Sequence, residues 1–154
     1  MFTVKQAQIE DIDVIVCMYK ELYLHLMRSG LPYESDVEQI QKSLLSQIQS
    51  KLFRIFVAER DGEIVGFLSA CLRRIDRRFQ GRVIGVINDL YVDTNQRNNA
   101  IGTTLVCEAE SWMRRNGART VQCDIVVGNV MALDFWHRRG YVDTSISAQK
   151  SLEE

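Results

Sequence analysis

The chain is poor in the features that divide a protein or send it elsewhere. It has one proline, Pro32, in 154 residues, and no Gly/Ser-rich linker. Nothing interrupts it, and its length suits one domain, so a single domain over residues 1–154 is expected. No apolar run approaches the ~20 residues that a membrane span needs. Met1 to Glu10 lacks a basic stretch followed by an apolar run, so no signal peptide is expected. These absences predict a soluble, cytoplasmic protein with no membrane partner. The four cysteines, at 17, 71, 107 and 123, form no C-x-x-C pair. That removes the usual zinc and thioredoxin-like spacings, and no metal is expected. Cys107 and Cys123 fall in apolar-periodic segments and are expected to pack as small buried hydrophobes. A net charge of −1 gives no general attraction to nucleic acid, which is an unlikely partner. Neither a Walker A lysine motif nor G-x-G-x-x-G occurs, so nucleoside triphosphate and dinucleotide sites lose their usual supports.

What is present reads as an ordinary globular chain, 46% hydrophobic and 25% charged. Phe2 to Lys5 is a candidate short strand. Asp11 caps a helix whose apolar residues Ile12, Ile15, Val16, Tyr19, Leu22, Tyr23 and Leu26 trace one face. Ser29 to Pro32 stops it, and Asp36 caps a second helix striped by Val37, Ile40, Leu44 and Ile48. Leu52 to Glu59 and Glu63 to Leu72 are β-branched and aromatic. Asp61-Gly62 between them is a strong hairpin signal. Arg73 to Arg82 is a polar loop, and Val83 to Val92 a long strand. A helix carries Ile101, Leu105, Ala109 and Trp112 on one face and ends at Asn116-Gly117. Val121 to Val127 alternates like a strand. Asn129 opens a last helix that Gly140 closes, and Tyr141 onward supplies two short strands. The order is βααβββαβαββ, an α/β arrangement with a mixed sheet and helices on its faces.

The most informative stretch is Leu90 to Leu105. A strand ends, a turn of small polar residues follows, and a helix begins. The first N–H groups of a helix have no partners within it, and its dipole places partial positive charge there. The combination suits an anion such as a pyrophosphate, although an ordinary capped helix start looks similar.

At Arg97-Asn98-Asn99-Ala100-Ile101-Gly102 the sequence resembles the GCN5-related N-acetyltransferase family, whose corresponding motif is Arg/Gln-x-x-Gly-x-Gly/Ala. Ala100 stands where that motif has its first glycine. Val57 to Phe67 is similar to the family's hairpin between its second and third strands. Asn129-x-x-Ala132-x-x-Phe135-Trp136-x-x-x-Gly140-Tyr141 is similar to its second coenzyme motif. The matches occur in the right order across residues 57 to 141.

The resemblance implies a mostly antiparallel twisted sheet, splayed between its fourth and fifth strands. It implies acetyl-coenzyme A as co-substrate and direct attack by an amine in a ternary complex. Leu90, Tyr91 and Val92 would hold the pantetheine arm. Arg97, Asn98, Asn99, Ala100, Ile101, Gly102 and Thr103 would hold the pyrophosphate, and Asn129, Ala132, Phe135 and Trp136 would add further coenzyme contacts. Asp89, then Asn88 with ordered water, would serve the amine as base or as ammonium-binding group. The family often protonates the departing thiolate with a tyrosine where this chain has Trp136, whose indole is no acid. Tyr141, Tyr91 or water would take that part.

Tyr23 and Tyr33 lie around the first helix–helix connection, a region that shapes the acceptor pocket in the family, and Tyr23 also suits core packing. The expected acceptor is a small-molecule amine ahead of a protein amine. Homodimerisation is also expected from the resemblance. Arg73, Arg74, Arg77, Arg78 and Arg82 read as a solvated loop, a site for an acidic substrate or an RNA contact, including acetylation of charged tRNA. The competing reading is a non-catalytic acyl-coenzyme A-binding domain.

Overall fold

The computed structural model describes residues 1–153. Its strands are β1 (Thr3–Gln6), β2 (Phe53–Arg60), β3 (Glu63–Arg74), β4 (Val83–Val92) and β5 (Val121–Cys123). Its helices are α1 (Ile12–Arg28), α2 (Val37–Gln49), α3 (Ile101–Arg115) and α4 (Val130–Arg138). The strands form one sheet in the order β1-β2-β3-β4-β5. Every pairing is antiparallel except β4 with β5, which is parallel. The mixed sheet expected from the sequence is therefore present.

Alternation along β2 and β3, shifted once at Val65, which the register skips between Ala58–Gly66 and Glu59–Ile64, divides their side chains between two cores. Phe56, Ala58, Val65 and Leu68 face α3 and α4, with Leu105, Ala109, Trp112 and Met113. Ile55, Val57 and Phe67 face α1 and α2, with Ile15, Tyr19, Leu22 and Leu44. The apolar stripes of α1 and α3 thus cover opposite faces of the sheet. Gly85 lets α3 pack close on β4. A Cβ there would stand 2.2 Å from the sulfur of Met113. The side chain of Asp36 accepts a hydrogen bond from the Gln39 N–H, capping α2 as its position suggested.

Pairing of β4 with β5 covers only Gly85–Val121, Val86–Gln122 and Ile87–Cys123, while β4 runs on to Val92. Among the described residues its far half has no strand partner on that side, so the sheet is splayed there.

Four expectations are corrected. Among the described residues no strand follows Tyr141, and the segment from Val142 to Glu153 is exposed. Its few apolar side chains, such as Val142 and Ile146, find no core to join. β5 stops at Cys123 rather than Val127. Arg73 and Arg74 belong to β3, whose register with β4 continues through Arg74–Val83. Cys107 is exposed and packs in no core, while Cys123 is half-buried against the core beneath α3.

Candidate active site

A β-bulge decides where Asp89 points. Ala70 pairs with Ile87 and Ser69 pairs with Asp89, leaving Asn88 as the extra residue. Without it, Ile87, Asp89 and Tyr91 would share one face of β4. With it, Ile87 packs toward α3 while Tyr91 packs toward α1. Asp89 goes with Tyr91, which is the re-aiming that bulges provide.

On that face Asp89 meets α1. The Tyr19 hydroxyl donates to Asp89 Oδ2 at 2.8 Å. The Ser69 hydroxyl lies 3.0 Å from the Tyr19 oxygen and 3.4 Å from the same Oδ2. Burial raises the Asp89 carboxyl above the ordinary carboxylate range, and the two hydroxyls pull it part of the way back. Burial and the neighbouring carboxylate push the Tyr19 phenol well up, so it stays protonated and donating. Tyr19 packs against Phe67 at 4.6 Å between ring centroids and against Tyr23 at 5.9 Å. The carboxylate is therefore held by one oxygen, and among the described residues Oδ1 has no hydrogen bond.

Asp89 opens into a pocket of about 540 Å³ between β4, α1 and α2. Tyr19, Tyr23, Tyr33, Glu34, Asp36 and Gln47 are among its lining residues. Tyr33 is exposed at the rim, where its hydroxyl donates to Gln149 Oε1 at 3.2 Å. Tyr23 and Tyr33 are thus brought to Asp89. Asn88 is not, since it is exposed in the bulge and lines neither this pocket nor the cleft described next.

Three residues further along β4, about 10 Å at strand rise, Val92 borders a second cleft of about 380 Å³. The start of α3 forms one wall. Ala100 occupies the N-cap position with φ +64° and provides no side-chain cap. Asn98 is also left-handed, at φ +66°. The first-turn N–H groups of Ile101, Gly102 and Thr103 are left for a ligand. Gly102 lets α4 come close, because a Cβ there would stand 3.2 Å from the Phe135 ring. Arg139 lies 3.6 Å over that ring and donates to the Phe135 carbonyl and to the Thr103 hydroxyl. Its Nε is buried without a partner.

Arg97, Arg138 and Arg139 line this cleft against one carboxylate, Asp134, which already pairs with Arg138 at 2.6 Å. Open backbone donors, the helix dipole and surplus guanidinium charge fit a pyrophosphate.

Several residues expected to hold the coenzyme are engaged within the chain. Ile101 is a lining residue, but its side chain is buried in the core. Asn99 donates to the Gln96 carbonyl. Arg97 Nε donates to the Val92 carbonyl, occupying a group expected for the pantetheine arm. Leu90 packs toward α3, and Tyr91 is buried toward α1. Asn129 spends its side-chain oxygen on the Ala132 N–H, capping α4. Ala132 and Trp136 pack into the core, and only Phe135 and its neighbours on α4 reach the cleft. Trp136 stacks edge-on against Tyr141 at 4.8 Å. Tyr141 donates to Glu110 on α3 at 2.8 Å, and burial, followed by that carboxylate, pushes its phenol well up. It is not brought to Asp89.

Three contributors were missed. Tyr19 was hidden in an apolar stripe, and Ser69 in an apolar strand. Arg139 followed a helix end, where a basic residue needs no further reason. The arginine-rich segment bonds mostly within its own hairpin, through Arg74 to the Gly81 carbonyl, Arg78 to Asp76 and Arg82 to Gln80. Among the described residues no helix is long and apolar enough to cross a membrane, and no cluster could hold a metal ion.

A family model described as "Acetyltransferase (GNAT) family" matches residues 19–141. An N-acetyltransferase of Archaeoglobus fulgidus is 33% identical over 114 residues, covering 73% of this chain and 75% of its own. An N-acetyltransferase of Methanocaldococcus jannaschii is 24% identical across 94% of this chain. The match spans 62% of that relative's length. An aminoglycoside N-acetyltransferase solved with coenzyme A superposes with a TM-score of 0.82 at 16% identity, over 98% of this chain and 94% of its own. At that identity the likeness is one of fold.

Proposed function

This chain belongs to the acetyltransferase (GNAT) family, and on that premise we propose that it transfers an acetyl group from acetyl-coenzyme A to a small-molecule amine. Residues 1–154 act as one such domain, in the cytoplasm. The observation that carries the reading is the course of β4, which borders the acidic pocket at Asp89 and the basic cleft at Val92. Between these points its edge is unpaired by β5.

When bound, acetyl-coenzyme A supplies a thioester carbonyl open to a neutral amine. The N–H groups at the start of α3, with Arg97 and Arg139, would hold the pyrophosphate. The unpaired edge at Leu90 to Val92 would run beside the pantetheine arm. Asp89 Oδ1 would accept a hydrogen bond from the incoming ammonium while Tyr19 and Ser69 fix the other oxygen. A carboxylate with a raised pKa is a better proton acceptor than an exposed one. Asp89 would therefore draw the amine proton directly or through water. No acid is required for the thiolate, since thiols ionise far more readily than amines lose a proton.

Steady-state acetyl transfer to an amine panel, followed by thiol release, tests this. The expected result is turnover that Asp89→Asn lowers by about 10²–10⁴, the usual range for a proton-transfer group. Coenzyme binding without turnover on any amine would favour a binding module instead.

A further inference from the structure

The acceptor pocket contains more negative charge than one amine uses. Three carboxylates line it, Asp89 at the floor and Glu34 and Asp36 at the rim, and no lysine, arginine or histidine does. Asp36 uses Oδ1 to cap α2. Glu34 makes no ion pair, among the described residues, that would neutralise it. An independent feature points the same way. The Oε1 atom of Gln47, also in the lining, is sealed from solvent with no hydrogen-bond partner, while its Nε2 donates to Ser43. A buried acceptor without a donor is costly, and a small rotation of the Gln47 amide toward the pocket would let a ligand N–H or O–H satisfy it. The phenols of Tyr19, Tyr23 and Tyr33 give aromatic surface between floor and rim, suited to methylene groups and to cations.

We propose that the acceptor is a polycationic amine, with one ammonium at Asp89 for acetylation and a second held by Glu34 and Asp36. The inference rests on the acetyltransferase reading and adds the substrate class. Two sources share this chemistry: linear di- and polyamines, and amino sugars with several amino groups. An amine bearing a carboxylate or phosphonate is disfavoured, because its anion would face Glu34 and Asp36. The reaction balances simply. The amine nitrogen forms the amide bond as the carbonyl–sulfur bond breaks. Of the two protons the reacting ammonium loses, one passes through Asp89 to solvent and one ends on the departed thiolate, so the products are the acetamide, with its distal ammonium kept, coenzyme A thiol and a proton.

The test compares 1,4-diaminobutane, butylamine and 4-aminobutanoate, which share a four-carbon chain, together with a diamino sugar. Each is assayed for kcat/KM and for binding to the coenzyme A-loaded protein by calorimetry. The diamine should exceed butylamine by at least about tenfold, the scale of one charge-assisted hydrogen bond. The anionic amine should fall below both. Glu34→Gln combined with Asp36→Asn keeps the helix cap and should bring the diamine preference toward one. Rising salt should shrink that preference as well, because both rim carboxylates are exposed. Preference for the linear diamine or for the amino sugar identifies the source, and either supports the proposal. If acetyl-coenzyme A binds and butylamine or 4-aminobutanoate does as well as both the diamine and the diamino sugar, or neither of these two binds, the polycation proposal is overturned while the coenzyme site stands. Failure to bind acetyl-coenzyme A would instead remove the underlying reading.

Discussion

The Tyr19 hydroxyl donates a 2.8 Å hydrogen bond to Asp89 Oδ2, joining the middle of α1 to the bulged part of β4. The contact spans 70 positions in sequence. It fixes one carboxylate oxygen and leaves the other to the pocket.

Tyr19→Phe removes this donor and keeps the ring packing against Phe67. The hydrogen bond lowers the Asp89 pKa, so its loss should move the acidic limb of the pH–rate profile to higher pH. A fall in kcat of about tenfold or more should accompany it, as for a hydrogen bond to a charged group. An unmoved limb with merely reduced stability would assign Tyr19 to packing alone.

Asp89→Asn should trade activity for stability. Burial raises the folded-state pKa of Asp89, so the folded chain holds that proton more tightly than the unfolded one. The stability this contributes is full below the unfolded value, about 3.9, and is lost as pH rises through the folded value. At pH 7 the variant, which has no carboxylate to bury, should melt a few degrees higher, about 2–4 °C. The gain should close toward pH 4. Thermal melts at the two pH values check both directions.

The site was half legible in the sequence, for physical reasons. Asp89 stood out because an acid in an apolar strand is costly to bury. The turn before α3 stood out because its polar residues precede a periodic helix. Tyr19 did not, because the spacing that puts it on the core stripe says nothing of where its hydroxyl ends. The bulge at Asn88 was also hidden, since alternation alone places Asp89 with Ile87. In the fold, α1, α3 and the Asp61-Gly62 hairpin followed their patterns. β5 and the residues after Tyr141 did not. β5 is held by only three paired positions, and the segment after Tyr141 has no strand partner among the described residues to reward extension.

Ala100→Gly should stabilise the protein. Ala100 is left-handed at φ +64°, which costs an L-residue roughly 1–2 kcal/mol. Glycine relieves this but adds freedom to the unfolded chain, so a net gain of about 0.5–1 kcal/mol is expected. Denaturant unfolding should give a higher midpoint with an unchanged slope.

Tyr141→Phe separates structure from catalysis. Its hydrogen bond to the Glu110 carboxylate should contribute about 1.5–3 kcal/mol, seen as a lower melting temperature. Turnover should stay within about threefold, less than the tenfold that 1.4 kcal/mol of lost transition-state binding gives. A hundredfold loss of kcat would return Tyr141 to the reaction.

The most direct measurement is calorimetric binding of acetyl-coenzyme A to the wild-type chain and to Thr103→Glu. Thr103 lines the basic cleft and touches Arg139, so a carboxylate there opposes a bound phosphate and neutralises its guanidinium partner. The expected result is micromolar-range binding, roughly −8 kcal/mol, weakened at least about tenfold in a variant that melts like the wild type. No binding by the wild type, or equal binding by both, would contradict a coenzyme site at the start of α3.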